Sequence, residues 1–282
     1  MKTLQKIFIL SFLFLMVQSC DKIEMPYKQG GSNPVGTATK KVLLEDYTGH
    51  LCVNCPTAGK KALELQELYE RKVIVIGVHA GYFSTVQGVP FDDDFTCEAS
   101  TDWDDFFGVS VAGNPNGIIN RMSSGGSYVV GPGDWSTKIS GIIEEDAVAT
   151  VEIGTTYNTD TRKLDIDVQS ELLSALDGNY KLQVCIVEDS IIGAQKNNDI
   201  NIGAVPVIMN YVHRHVMRQA VNTSWGTDLV TGGGQAVVST PYTQNFSLTL
   251  NSNWNDNQCY VVAWLYNAED YSIIQVEEKR IR

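Results

Sequence analysis

Lys41-Val42-Leu43-Leu44-Glu45-Asp46-Tyr47-Thr48-Gly49-His50-Leu51-Cys52-Val53-Asn54-Cys55-Pro56 is the stretch on which the reading of this chain turns. Its first half, from Val42 to Tyr47, is a short apolar run of the length of one buried strand. Beyond Pro56, the apolar residues Leu63, Leu65, Leu68 and Tyr69 recur at helical spacing. The pair Cys52-Val53-Asn54-Cys55 therefore stands at a turn from strand to helix. A helix N-terminus stabilises a thiolate, which lowers a cysteine's pKa and makes it a nucleophile. Proline suits the first helical turn, so a helix starting at Pro56 makes Cys55 its cap and leaves Cys52 further from the dipole.

The elements around this turn alternate. Val73-Ile74-Val75-Ile76-Gly77-Val78-His79 is continuously apolar and β-branched, as expected of a strand buried on both faces. A polar loop leads to a short helix at Asp102–Phe107. Gly113-Asn114-Pro115-Asn116-Gly117 then introduces a strand at Ile118-Ile119-Asn120, and Trp135 to Asp146 reads as a helix capped by Asp134. This alternation predicts an α/β domain over residues 41–146. A Cys-x-x-Cys at a strand-to-helix turn is also where thioredoxin-like folds keep their dithiol.

After Ala147 the texture changes. Val148–Tyr157, Lys163–Leu172, Tyr180–Glu188, Tyr211–Val216, Tyr242–Leu250, Gln258–Tyr266 and Tyr271–Ile281 are strand-like and are separated by turn-rich pieces such as Asp177-Gly178-Asn179. About seven strands with no good helix predict an all-β sandwich of immunoglobulin-like kind over residues 147–282. The expected fold class is thus an α/β thioredoxin-like domain followed by an immunoglobulin-like β-sandwich.

The N-terminus points to the cell envelope. Lys2 and Lys6 precede an apolar stretch, Ile7 to Val17, broken only by Ser11, and Gln18-Ser19-Cys20 follows. The stretch falls short of the ~20 residues that span a bilayer, so residues 1–19 read as a signal peptide. Ser19 before Cys20, with Val17 three positions ahead of it, resembles a bacterial lipoprotein cleavage box. That resemblance implies lipid on Cys20 and attachment to a membrane; the alternative is an ordinary secretory signal with Cys20 incidental. Residues 20–40 would then be the lipidated cysteine and a polar tether with a reach of roughly 25 Å. Losing two lysines with residues 1–19 takes the net charge from −12 to −14. Such an acidic chain argues against nucleic acid or an anionic membrane surface as partner.

The remaining candidates are weaker. Cys52 and Cys55 admit three readings: a thiol–disulfide exchange centre acting on a protein thiol or disulfide, with Cys52 attacking and Cys55 resolving, a structural disulfide, or two ligands of a zinc site, for which there is no second cysteine pair and only His50 and His79 as nearby imidazoles. Cys185 and Cys259 lie in strand-like runs and read as a second bridge or as two small buried hydrophobes, and Cys97 is the odd one out. His213-Arg214-His215 alternates on an expected strand, so both imidazoles would face one side as weak metal candidates. Asp92-Asp93-Asp94 lacks calcium-loop spacing. No cofactor motif of the glycine-rich phosphate or nucleophilic-serine kind stands in the chain, and nothing in the pattern sets an oligomeric state. Trp225, Tyr242, Trp254 and Trp264 are the aromatics that a surface-binding module would draw on.

Glu45 to Pro56, Asn210-Tyr211-Val212-His213-Arg214-His215-Val216-Met217-Arg218 and Val261-Val262-Ala263-Trp264-Leu265-Tyr266-Asn267 together resemble the Omp-twenty-eight family, outer-membrane lipoproteins of Bacteroidetes-type bacteria. The resemblance implies a thioredoxin-like domain, a β-sandwich and an outer-membrane anchor. Within the wider thioredoxin pattern, Asn114-Pro115-Asn116 holds the place of a cis-proline loop facing the dithiol, which implies a positioning role for Pro115. Leu51 stands where thioredoxins carry tryptophan, and Val53-Asn54 replaces their glycine-proline. The expected role is surface binding or presentation with thiol–disulfide exchange at the Cys-x-x-Cys, or an active oxidoreductase using Cys52 as nucleophile.

Overall fold

The strand expected at 42–47 forms as β1 (Val42–Thr48), buried along nearly its whole length, in a computed structural model that describes residues 38–282. The expected signal peptide, Cys20 and most of the tether lie outside the described residues. Helix α1 (Cys55–Leu68) returns the chain to β2 (Val73–His79), which pairs parallel to β1 with Val42 opposite Val73 and Thr48 opposite His79. α2 (Glu98–Phe107) and α3 (Val109–Ala112) precede β3 (Asn116–Ile119), which runs antiparallel on the other edge of β1. α4 (Trp135–Ser140) is shorter than the helix expected to Asp146. Gly141 follows it, a residue that weakens a helix, and Ile142 and Ile143 reach the core from turns instead.

Ten strands follow: β4 (Ala149–Asn158), β5 (Lys163–Leu172), β6 (Tyr180–Glu188), β7 (Ile191–Lys196), β8 (Val207–His213), β9 (Val216–Ala220), β10 (Thr227–Asp228), β11 (Tyr242–Thr249), β12 (Cys259–Asn267) and β13 (Ile273–Arg280). The main sheet has eight strands in the order β13-β12-β6-β9-β2-β1-β3, with β10 paired to β6. A second sheet, β11-β5-β4, and the hairpin β7-β8 complete the fold, which is mostly β with several sheets.

The alternation of side chains along β6 and β12 divides the core. Leu182, Val184 and Ile186, with Val261, Ala263 and Leu265, pack against Val151, Leu164, Ile166 and Val168 of the smaller sheet. The opposite face carries Val187, Val262 and Trp264, packed with Trp103 and Phe107 of α2 and with Leu43, Ile74 and Ile76. Ala58, Ala62 and Leu65 of α1 join Trp135 and Ile139 of α4 over Val42, Leu44, Val73 and Val75. Each such fully buried aliphatic side chain contributes about 1.5–3 kcal/mol, so β1 and β2 are fixed from both faces.

Two expectations change here, and one open alternative closes. The sheet does not divide at residues 146/147, because β2 pairs with β9 through Gly77 and Val216, and the described residues form one compact unit. The shift in texture at Ala147 reports local structure; the pairing across it is long-range and has no local signature. A side chain at Gly77 would press on the Arg214 carbonyl, and its absence lets the crossing chain approach. The single strand expected at 211–216 is two, β8 and β9, broken at Arg214-His215, where His215 has a φ of +52°. Cys185 and Cys259 belong to opposite faces of the main sheet, so they cannot bridge; both are free and buried.

Candidate functional site

The C-terminal end of β1 delivers Asp46 and Thr48 to the face covered by α1, and the loop from Gly49 carries the chain back to the helix. That loop is pinned by the Leu51 amide, which donates to the Phe83 carbonyl at 2.9 Å, and a Cβ at Gly49 would collide with the Phe83 backbone. α1 begins at Cys55, one residue before the expected start, with Asn54 as its cap and Pro56 in its first turn. Cys55 is thus the thiol that sits in the helix N-terminus, and Cys52 lies before the cap.

Cys52 and Cys55 are joined as a disulfide and are both buried, at 2% and 3% exposure. A cover over them comes from the end of β7 and the residues after it. The Gln195 side-chain amide donates to the carbonyls of Cys52 (2.9 Å) and Gly49 (3.2 Å). The Lys196 amide donates to the His50 carbonyl and the Asn198 amide to that of Val53, at 2.8 and 3.2 Å. The Asn198 side chain also donates to Asn54 Oδ1 at 2.6 Å. The carbonyls of Gly49, His50, Cys52 and Val53 are therefore all paired with groups of β7 and the residues after it.

The inner side is open. A cavity of about 480 Å³ between α1, β2 and β8 is lined by Asp46, Cys55, Leu63, His79, Tyr211 and His213 among others, and Lys60, Asn201, Asn210 and Arg214 stand exposed at its edge. Cys52 is not among its lining residues. Three of its lining residues carry a polar atom that is buried without a hydrogen-bond partner among the described residues: Asp46 Oδ1, His79 Nδ1 and His213 Nε2. Burial raises Asp46 to about 7 and Tyr211 to about 12, the latter helped by the Asp46 charge. Burial lowers His213 to about 3 and His79 well below its ordinary value, with nearby imidazoles adding to both.

His79 and His213 pack around Phe95, their ring centroids 5.7 Å apart and those of Phe95 and His213 4.4 Å apart, with the His50 ring 5.8 Å from that of Phe95. The break at Arg214 takes His215 away from this group toward Asp189, although both His213 and His215 line the cavity. Among the described residues no group of three or more His, Cys, Asp or Glu side chains is arranged to hold a metal ion. The Asn114–Pro115 peptide is cis. Pro115 lines a second cavity with Asn54, Thr57, Ala58 and Asn198, on the outer side of the dithiol turn. Cys97 caps α2, half-buried, with its thiol pushed up by burial.

Asp46 and Gln195 were not singled out by sequence pattern. Asp46 carried a usable signal, an acid inside the otherwise apolar run of β1; Gln195 carried none, because its role depends on where β7 docks.

The family model described as outer membrane protein Omp28 matches residues 102–282, beginning downstream of the dithiol turn. No curated protein matches the chain. Among solved structures, an Agrobacterium tumefaciens protein is similar at 14% identity, covering 87% of this chain and 96% of that one with a TM-score of 0.54, a likeness of fold. A domain of the outer membrane lipoprotein Omp28 from Porphyromonas gingivalis is 20% identical over 48% of this chain and 89% of that one, with a TM-score of 0.32.

Proposed function

The chain belongs to the Omp28 family of outer membrane proteins, and on that premise we propose that it carries a thiol–disulfide centre at Cys52 and Cys55, held at the outer membrane by lipid on Cys20. The outer membrane of the cell envelope is its location. Among the described residues no helix is long and apolar enough to cross a membrane, which fits attachment through an N-terminal lipid.

One observation carries the redox reading: Cys55 and Asp46 line the same cavity. A buried carboxyl that titrates near neutrality accepts or returns a thiol proton at little cost, which thiol–disulfide exchange requires. The arrangement β1-α1-β2 with β3 antiparallel supports a thioredoxin-like reading of the dithiol's surroundings. The packing of β4, β5 and β11 on β6 and β12 supports a sandwich-like reading of the rest. In this account Pro115 is a positioning residue beside the dithiol turn.

The test is native-state reduction of the full chain in detergent by dithiothreitol, followed by alkylation, with near-ultraviolet circular dichroism recorded in parallel. The reading expects both cysteines to become alkylated while the tertiary signal is kept. Opening of the pair only together with unfolding marks a structural bridge and refutes it.

A second reading, surface binding or presentation, is favoured by exposed apolar side chains on and beside the β7-β8 hairpin: Ile192, Ile200, Val205 and Met209. Binding through these residues would survive Cys52→Ser and Cys55→Ser; an exchange activity would not.

A further inference from the structure

The two sides of the disulfide differ, and the difference points to what reacts with it. On the outer side Cys52 is 2% exposed, and its carbonyl is held by Gln195 at 2.9 Å. The neighbouring carbonyls of His50 and Val53 are paired with the amides of Lys196 and Asn198. Cys52 is thus buried and lines neither cavity beside the turn. On the inner side Cys55 lines a cavity of about 480 Å³ that meets solvent between exposed Lys60, Asn201, Asn210 and Arg214. That volume suits a small molecule. Three of its lining residues, Asp46, His79 and His213, each carry a buried polar atom without a partner among the described residues, which native interiors leave only rarely. A polar guest in the cavity would pair them.

We propose that the Cys52–Cys55 disulfide is reduced from the inside, by a low-molecular-weight monothiol that enters the cavity and attacks Cys55, and that protein thiols are excluded. This rests on the thiol–disulfide reading of the site. The small thiolate forms a bond to Cys55 Sγ as the Cys52–Cys55 bond breaks, and the electron pair leaves on Cys52 Sγ. A second small thiolate attacks the sulfur of the bound thiol. The small disulfide departs, and the electron pair returns to Cys55 Sγ. Two thiols are oxidised to one disulfide, and their two protons end on Cys52 and Cys55. The helix N-terminus at Cys55 favours the thiolate formed in the second step.

The test uses the oxidised full chain in detergent with two reductants at equal thiol concentration, cysteine and a reduced protein dithiol, and reads alkylation by mass. The expected result is reduction by cysteine at least tenfold faster per thiol. In parallel, Cys52→Ser and Cys55→Ser proteins are offered cystamine; Cys52→Ser, which keeps Cys55, should form its mixed disulfide at least tenfold faster than Cys55→Ser. Leu63→Trp, a substitution at a half-buried lining position, should slow the reaction with cysteine severalfold while leaving the denaturation midpoint close to wild type. A protein dithiol as fast as cysteine, or faster adduct formation on Cys52, overturns the proposal while leaving the exchange reading standing. Reduction by neither reagent in the folded state overturns both.

Discussion

Gln195 reaches across from β7 and donates from its side-chain amide to the Cys52 carbonyl at 2.9 Å, although 143 positions separate the two residues. The same amide serves the Gly49 carbonyl, so one buried side chain closes the loop that holds the dithiol. Replacing it with alanine strips both carbonyls of this donor. Gln195→Ala should therefore cost about 1–3 kcal/mol, measured by urea unfolding. It should also make the disulfide reducible by a reduced protein dithiol, which the wild-type cover resists. Unchanged stability together with unchanged reduction kinetics would mean that the clasp closes nothing.

Asp46 titrates upward because burial disfavours its charge, reaching about 7 from an ordinary value of 3.8. The folded state therefore keeps a proton that the unfolded state releases. The stability this contributes is fully present below about pH 4 and is lost as the pH rises to 7, an effect on the order of 4 kcal/mol. Asp46→Asn cannot ionise. It should match wild type near pH 3.5 and exceed it in stability at pH 8, by urea unfolding across a pH series. Parallel profiles for the two proteins would show that Asp46 is ionised in the fold.

His213 moves the opposite way. Burial lowers it to about 3, so the unfolded chain takes up a proton below about pH 6.5 that the folded one refuses. Its contribution is present above 6.5 and is lost as the pH falls toward 3. His213→Phe places a ring among Phe95 and Tyr211, whose centroids lie 4.4 and 5.0 Å from the imidazole. The substitution should flatten the acid limb of the thermal-stability profile. An unaltered acid limb would assign that loss to His79 and His215, which burial also lowers.

The strand–dithiol–helix–strand unit was legible because each of its pieces is local. The run Val42 to Tyr47, the spacing of Leu63, Leu65 and Leu68, and the β-branched run at Val73 each announce one element without reference to the others. What covers the dithiol was not legible. β7 is a short run interrupted by Gly193, where a Cβ would press on Asp93 and the Phe95 ring, and its value lies in a contact more than 140 positions away. The continuity of the sheet was hidden for the same reason, since it rests on the pairing of Gly77 with Val216. Asp46 was visible as a residue, but its chemistry depends on the face of β1 that α1 closes.

Arg121 and Glu45 form a fully buried pair, joined by Nη2 to Oε1 at 2.7 Å and Nε to Oε2 at 2.9 Å. The guanidinium also lies over the rings of Trp103, Phe107 and Trp264. Removing one partner leaves a buried charge uncompensated, so Arg121→Met should destabilise by about 3–5 kcal/mol. Arg121→Met with Glu45→Leu should recover most of that loss, because apolar groups of similar volume replace a buried pair at little cost. Equal losses in the single and double variants would assign the effect to packing of the side chains and not to charge.

The central claim is that Cys52 and Cys55 are a working dithiol, and the reduction potential of the pair tests it most directly. Equilibration of the full chain in glutathione buffers of graded ratio, with the two states separated by alkylation, gives the value. The account predicts a potential between about −120 and −270 mV, in the range of exchange-active dithiols. A value below about −300 mV, where structural disulfides lie, would contradict it.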